Sequence, residues 1–336
     1  MQAGTLHHPL PRFKPATGLR NAHLQTILAK YLAPRRPIRG TVEMFRLPDG
    51  DEIQLNWSDN AADQHRPLAI LLHGLEGNAN SHYVQGMFHS LQQQGFAVLL
   101  MHFRGCNGVA NKLPRAYHSG DTADFAEVLQ CCRRRYPARR LLAVGFSLGG
   151  NVLVKYCGET GTDNLLSGAV AVCAPLALAP SSDRINQGFS KIYQRYLLGR
   201  LKATMQRKLA AHADFPLALS ASRIRNIRSI RQFDDLLTAP LHGFRDAEHY
   251  YRSCSGLNFL PAVQTPLLLI HALDDPFLAP AVIPQQLPPQ VQLYLSPHGG
   301  HVGFLAGTPW RPVYWLDQVI PQWLNQLPLQ QEPRRC

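Results

Sequence analysis

Ser147 stands at the centre of Gly145-Phe146-Ser147-Leu148-Gly149, between the apolar run 141–144 and a helix-like stretch over 148–156. A serine on a sharp turn between a buried strand and a helix presents its hydroxyl outward, and glycines on either side leave the space such a turn demands. The following helix directs its positive end to the place where an oxyanion would form. A serine in that setting becomes a nucleophile when an imidazole takes its proton and a carboxylate fixes the tautomer of that imidazole.

Both partners follow in chain order. Pro266-Leu267-Leu268-Leu269-Ile270 reads as a buried strand, with Asp274 and Asp275 just beyond it and the breaker Pro276 next. A second apolar strand, 291–295, precedes Ser296-Pro297-His298-Gly299-Gly300-His301-Val302-Gly303. Each candidate lies at the carboxyl end of a strand, where open α/β sheets place their chemistry. We assign Ser147 as nucleophile, His301 as general base and then acid, and Asp275 as the orienting carboxylate; His298 and Asp274 are the neighbouring alternatives, since only one of two adjacent aspartates can point into the site. Upstream, the strand 67–72 ends in His73-Gly74-Leu75-Glu76-Gly77, so the backbone N–H groups of Leu75 and Leu148 are the expected oxyanion donors.

Six motifs together carry a resemblance: GFSLGGN at 145–151, HGLEGN at 73–78, MHFRGC at 101–106, YHSGDT at 117–122, HALDDPF at 271–277 and HGGHVGF at 298–304, with NAHLQT at 21–26 beside them. The chain resembles the YheT-type branch of the α/β-hydrolases over nearly its whole length. What the resemblance implies is an α/β-hydrolase fold, a serine esterase or lipase activity, and the same serine and histidine; in many hydrolases of this fold the working aspartate is the second of such a pair, here Asp275.

These residues need a sheet to hold them. Strand-like and helix-like segments alternate from residue 68 to 172, which argues for an α/β class with a mostly parallel central sheet covered by helices on both faces. Segments 41–47 and 52–57 flank a Pro48-Asp49-Gly50-Asp51 turn and read as an edge hairpin. About ninety residues separate the strand 168–172 from the one at Pro266, far more than a crossover needs. Helical apolar spacing at 189–201 and 227–237 makes this insert a helical cap, residues 176–262, within one domain spanning 1–336. A cap over Ser147 would line an acyl pocket, with Phe189 and Phe233 as the leading substrate-binding residues and Tyr193, Tyr196, Leu197, Leu236 and Leu237 beside them, although for any one of these residues core packing, which explains most apolar helical stripes, is the simpler account. The tail from Gln326 reads as frayed.

Composition narrows the class. No run of about twenty apolar residues exists to span a bilayer, and His7, His8 and several prolines interrupt what a secretory leader would need, so a cytoplasmic location is expected. Seven scattered cysteines, without a C-x-x-C pair, do not form a disulfide framework. The net charge of +12 is read as surface charge, with weak attraction to an anionic membrane surface and no specific nucleic-acid binding, because no nucleic-acid motif accompanies the arginines. His73, His102 and His118 match no zinc spacing, so neither a metal nor another cofactor is expected. The sequence therefore reads as a serine carboxylic-ester hydrolase acting on a small-molecule acyl ester of short to medium chain length. An acyltransferase with the same triad and an alcohol acceptor, or a non-catalytic binding protein, are the competing readings. Oligomeric state is not legible.

Overall fold

A computed structural model gives the architecture, described here for residues 9–217 and 220–328. His7, His8, Arg334, Arg335, Cys336 and the tail from 329 onward lie outside the described residues. Among those described, no helix is long and apolar enough to cross a membrane.

Eight strands form the main sheet: β1 (Gly40–Arg46), β2 (Glu52–Ser58), β3 (Leu68–Leu72), β4 (Ala97–Met101), β5 (Leu141–Phe146), β6 (Gly168–Val172), β7 (Leu267–Ala272) and β8 (Val291–Ser296). Their order is β1-β2-β4-β3-β5-β6-β7-β8. β1 pairs antiparallel with β2 and β2 with β4; from β4 to β8 every pairing is parallel. Every residue of β3, β4, β5, β6 and β7 is buried. That fits their mostly Val, Leu, Ile and Ala composition, with His271 of β7 the one polar side chain among them, because a parallel sheet is covered on both faces and has no solvent side to supply polar alternation. β8, at the edge, is only partly covered.

The connecting helices are α1 (Ala22–Leu32), before the sheet, then α2 (His82–Gln93), α3 (Ala123–Arg135) and α4 (Leu148–Thr160). Between β6 and β7 the chain makes α5 (Leu178–Ile185), α6 (Lys191–Ala211), α7 (Ala221–Arg225), α8 (Ile230–Phe233), α9 (Ala239–Leu241) and α10 (Ala247–Cys254). After β8 come a two-stranded hairpin, β9 (Leu305–Thr308) with β10 (Arg311–Tyr314), and α11 (Trp315–Gln326).

Several boundaries differ from the sequence expectation. Phe189 precedes α6 in a single tight turn, Gly188–Ser190, and α6 runs ten residues beyond Leu201 to Ala211. The expected helix over 227–237 starts later and runs on: Ser229 caps α8 by accepting from Gln232 N at 3.1 Å, and Asp234–Thr238 continues it into α9 as a π-turn in which the Thr238 hydroxyl bonds Asp234 at 2.7 Å. The tail is docked for its first residues, since Gln326 closes α11 and Leu327 is buried.

Candidate active site

The turn after β5 holds Ser147 at φ 50°, ψ −118°, a backbone conformation unusual for a residue with a side chain. It is fixed from both sides: Ser147 N donates to Val172 O at 2.8 Å, and Gly150 N and Asn151 N donate to Ser147 O at 2.9 and 3.1 Å. A Cβ on Gly149 would fall 2.6 Å from the carbonyl oxygens of both Leu72 and His73, and one on Gly145 would run into the Gly149 carbonyl. The two glycines let the start of α4 press against the end of β3, which aims the serine away from the sheet.

His301 Nε2 lies 3.1 Å from Ser147 Oγ, and His301 Nδ1 lies 2.8 Å from Asp275 Oδ2. Asp275 is 4% exposed and its other oxygen accepts from Phe277 N at 2.8 Å. The Phe277 ring stacks on the His301 ring at 4.0 Å and 6°. A buried carboxylate and a parallel ring thus hold the imidazole in one orientation. Asp274 turns elsewhere, accepting from Gly300 N at 2.9 Å and lying 3.5 Å from His298 Nδ1; partial burial holds its carboxyl above the usual range.

The loop bearing His301 is clamped by α1. Thr26 Oγ1 accepts from His301 N at 2.9 Å, and the Gln25 side chain bonds Leu19 O at 2.7 Å, Leu305 O at 3.0 Å and Leu305 N at 2.6 Å. Gly300 has φ +59°, and a Cβ there would sit 2.5 Å from Ala22 O. The 21–26 motif therefore positions the His301 loop, a role its sequence alone did not disclose.

Leu75 and Leu148 both line the cavity in front of Ser147. Leu148 is the first residue of α4, where helix geometry leaves the N–H without an intrahelical acceptor, and among the described residues neither its N–H nor that of Leu75 meets one elsewhere. The Leu75 turn is pinned by Gly74 N to Tyr83 Oη at 3.0 Å and Glu76 N to Tyr117 Oη at 2.8 Å; Glu76 itself has φ 55°. Buried histidines brace the same turn. His73 Nε2 accepts from Phe103 N at 3.1 Å and His102 Nε2 from Ala79 N at 3.1 Å, and burial pushes the two imidazoles down to about 3 and about 4. They are neutral acceptors holding a loop.

Among the described residues one donor cluster has metal-like proximity: Cys173, Asp275 and His301, within 4.8 Å of one another. Its histidine and carboxylate are bonded to each other, and burial, with Asp275 nearby, pushes the Cys173 thiol well up, so it stays protonated.

From the insert, Leu197, Leu201, Met205 and Phe233 line the cavity. Asp234 and Tyr251 line it too, the tyrosine hydroxyl donating to Asp234 Oδ2 at 2.6 Å. Phe189 does not. It is 50% exposed and rests against His23 at 4.4 Å, because its neighbour Ser190 is turned inward to donate to Pro276 O at 2.6 Å. Tyr193, Tyr196, Leu236 and Leu237 are likewise absent from the lining; Leu237 packs instead in the apolar cluster of the insert, with Leu198, Ile224 and Ile227.

The sequence profile of the alpha/beta hydrolase fold family matches residues 67–308. The chain is 45% identical to the Escherichia coli (strain K12) protein named "Putative esterase YheT", over 93% of each chain. It is 28% identical to Phospholipase ABHD3 of Mus musculus, covering 90% of this chain and 75% of that one. The crystal structure of the Pyrococcus furiosus esterase Pf2001 superposes with a TM-score of 0.53 at 16% identity, covering 96% of this chain and 99% of that chain, which speaks to the fold alone.

Proposed function

The chain belongs to the alpha/beta hydrolase fold family and is a carboxylic-ester hydrolase, and from that premise we propose that it cleaves short- to medium-chain acyl esters through Ser147, His301 and Asp275. The observation that carries this reading is the His301 imidazole bonded on one nitrogen to Asp275 and on the other to Ser147.

His301 Nε2 takes the Ser147 proton as Oγ attacks the ester carbonyl, and Asp275 holds the Nδ1 proton and stabilises the imidazolium. The carbonyl oxygen, now anionic, receives the N–H groups of Leu75 and Leu148, the second aided by the α4 dipole; each such donor is worth roughly 10²–10³-fold in rate. As the tetrahedral adduct collapses, the ester C–O bond breaks and the imidazolium gives its proton to the leaving alkoxide. Water then attacks the acyl-enzyme, losing a proton to His301; the bond from Ser147 Oγ to the acyl carbon breaks, the imidazolium returns its proton to Oγ, and the carboxylic acid leaves. Residues 176–262 act as the cap, with Leu197, Leu201, Met205 and Phe233 receiving the acyl chain and excluding water from it.

Turnover of a p-nitrophenyl ester tests this. Ser147→Ala should lose at least about 10³-fold in kcat while its circular dichroism spectrum stays unchanged; hydrolysis at the wild-type rate by the variant would refute it.

A further inference from the structure

Two long acid-free stretches of the chain are strongly basic. Residues 20–39 hold five Lys or Arg and residues 184–213 hold seven, with no Asp or Glu in either, and of these twelve only Lys208 is buried. The first stretch contains α1 and the second contains α6, and the fold sets them side by side. The Tyr193 hydroxyl lies 3.1 Å from His23 Nδ1, Lys30 Nζ donates to Tyr196 Oη at 3.3 Å, and the same ammonium lies 4.8 Å from the Tyr196 ring and 5.8 Å from that of Tyr31.

The shared face is also apolar. Of the twelve large hydrophobic side chains exposed among the described residues, five are here: Leu24 (40%), Tyr31 (73%), Phe189 (50%), Ile192 (51%) and Tyr196 (50%). Leu24 and Tyr31 are seven apart on α1, and Ile192 and Tyr196 four apart on α6, so each pair shares one side of its helix. A ring series joins this face to the site: His301 to Phe277 at 4.0 Å, Phe277 to Tyr193 at 4.9 Å, Tyr193 to Phe189 at 6.1 Å. α6 itself turns Leu197, Leu201 and Met205 to the cavity while Ile192 and Tyr196 stay outside.

We infer that the α1–α6 face docks on an anionic lipid surface and takes its ester from that surface. Aromatic and aliphatic side chains enter the boundary of headgroup and acyl chain while cations meet the phosphates, a pairing of chemistries that neither a soluble substrate nor a nucleic-acid backbone calls for. A second copy of the same face would set the same cations against one another. The inference rests on the ester-hydrolase reading only for what the surface delivers.

The full chain should cosediment with vesicles of equal parts phosphatidylcholine and phosphatidylglycerol, not with phosphatidylcholine alone, and high salt should release it. The double variant Tyr31→Asp, Ile192→Asp should weaken partitioning by about tenfold or more, with turnover of soluble p-nitrophenyl butyrate unchanged. Arg134→Asp, an equal charge change at an exposed position of α3, should lose far less. Binding of the double variant equal to wild type, equal binding to both vesicle types, an equal loss in Arg134→Asp, or tighter binding to duplex DNA than to vesicles would each overturn the inference. Ser147→Ala should bind vesicles like wild type, so a failure of the catalytic reading registers in ester turnover and leaves the vesicle result to decide this one.

Discussion

Asp275 and Asp274 are neighbours in the chain yet serve different partners: Asp275 Oδ2 lies 2.8 Å from His301 Nδ1, whereas Asp274 Oδ1 accepts the Gly300 backbone N–H at 2.9 Å. Asp275→Asn should therefore present the imidazole with the wrong hydrogen-bond partner and cost up to about 10⁴-fold in kcat. Asp274→Asn keeps a side-chain oxygen to accept from Gly300 N and loses only the carboxylate charge beside His298, so it should cost about tenfold at most. Steady-state kinetics on one ester reads both; a larger loss at Asp274 would reverse the roles.

Gly149 tests the turn that aims the serine. Its absent Cβ is what allows the carbonyls of Leu72 and His73 to approach, and neither is the movable end of a side chain. Gly149→Ala should destabilise the chain by roughly 1–3 kcal/mol, as overpacking does, and should depress kcat beyond what Tm accounts for. A variant with wild-type Tm and kcat would show that the contact is relieved cheaply.

Phe233 lines the cavity and is 4% exposed, while Phe189 lies outside it. Phe233→Leu should shift the ratio of kcat/KM for longer against shorter acyl esters by about tenfold, the scale of one or two methylene contacts. Phe189→Leu should leave that ratio alone. A panel of p-nitrophenyl esters separates the two, and an altered ratio in the Phe189 variant alone would place the acyl chain elsewhere.

Burial pushes the Asp234 carboxyl up to about 6, against hydroxyl donation from Tyr251 and Thr238. Unfolded, the group titrates near about 3.9. The folded state therefore holds the proton more tightly: the stability this group contributes is complete below about pH 4 and is lost as pH rises through about 6, up to ~3 kcal/mol in all. Urea unfolding at about pH 4 and about pH 7 should show a smaller change for Asp234→Asn than for wild type. Identical changes would mean that Asp234 does not titrate in this window.

Much of this was legible in the sequence because it is local. The Ser147 turn announces itself within five residues, and Asp275 and His301 each follow a recognisable strand by a few positions. The parallel sheet was legible for a related reason, since β3 to β7 are apolar runs, broken only by His271, between helices. What stayed hidden depends on distant partners. Thr26 and His301 meet across 275 positions, and no pattern near either residue signals the bond. Phe277 looks like any core aromatic until its ring is found on the imidazole. Phe189 carries helical apolar spacing but lies in the turn before α6, where the inward pull of Ser190 leaves it outside the cavity. The hairpin β9–β10 and α11 follow the last motif and had no chemistry to draw attention to them.

The central claim is that Ser147 is the activated nucleophile, and covalent labelling tests it most directly. A fluorophosphonate probe, followed by proteolysis and mass spectrometry, should modify the peptide containing Ser147 and no other, with labelling abolished in Ser147→Ala and strongly slowed in Asp275→Asn. Modification mapped to another residue, or persisting in Ser147→Ala, would contradict the account.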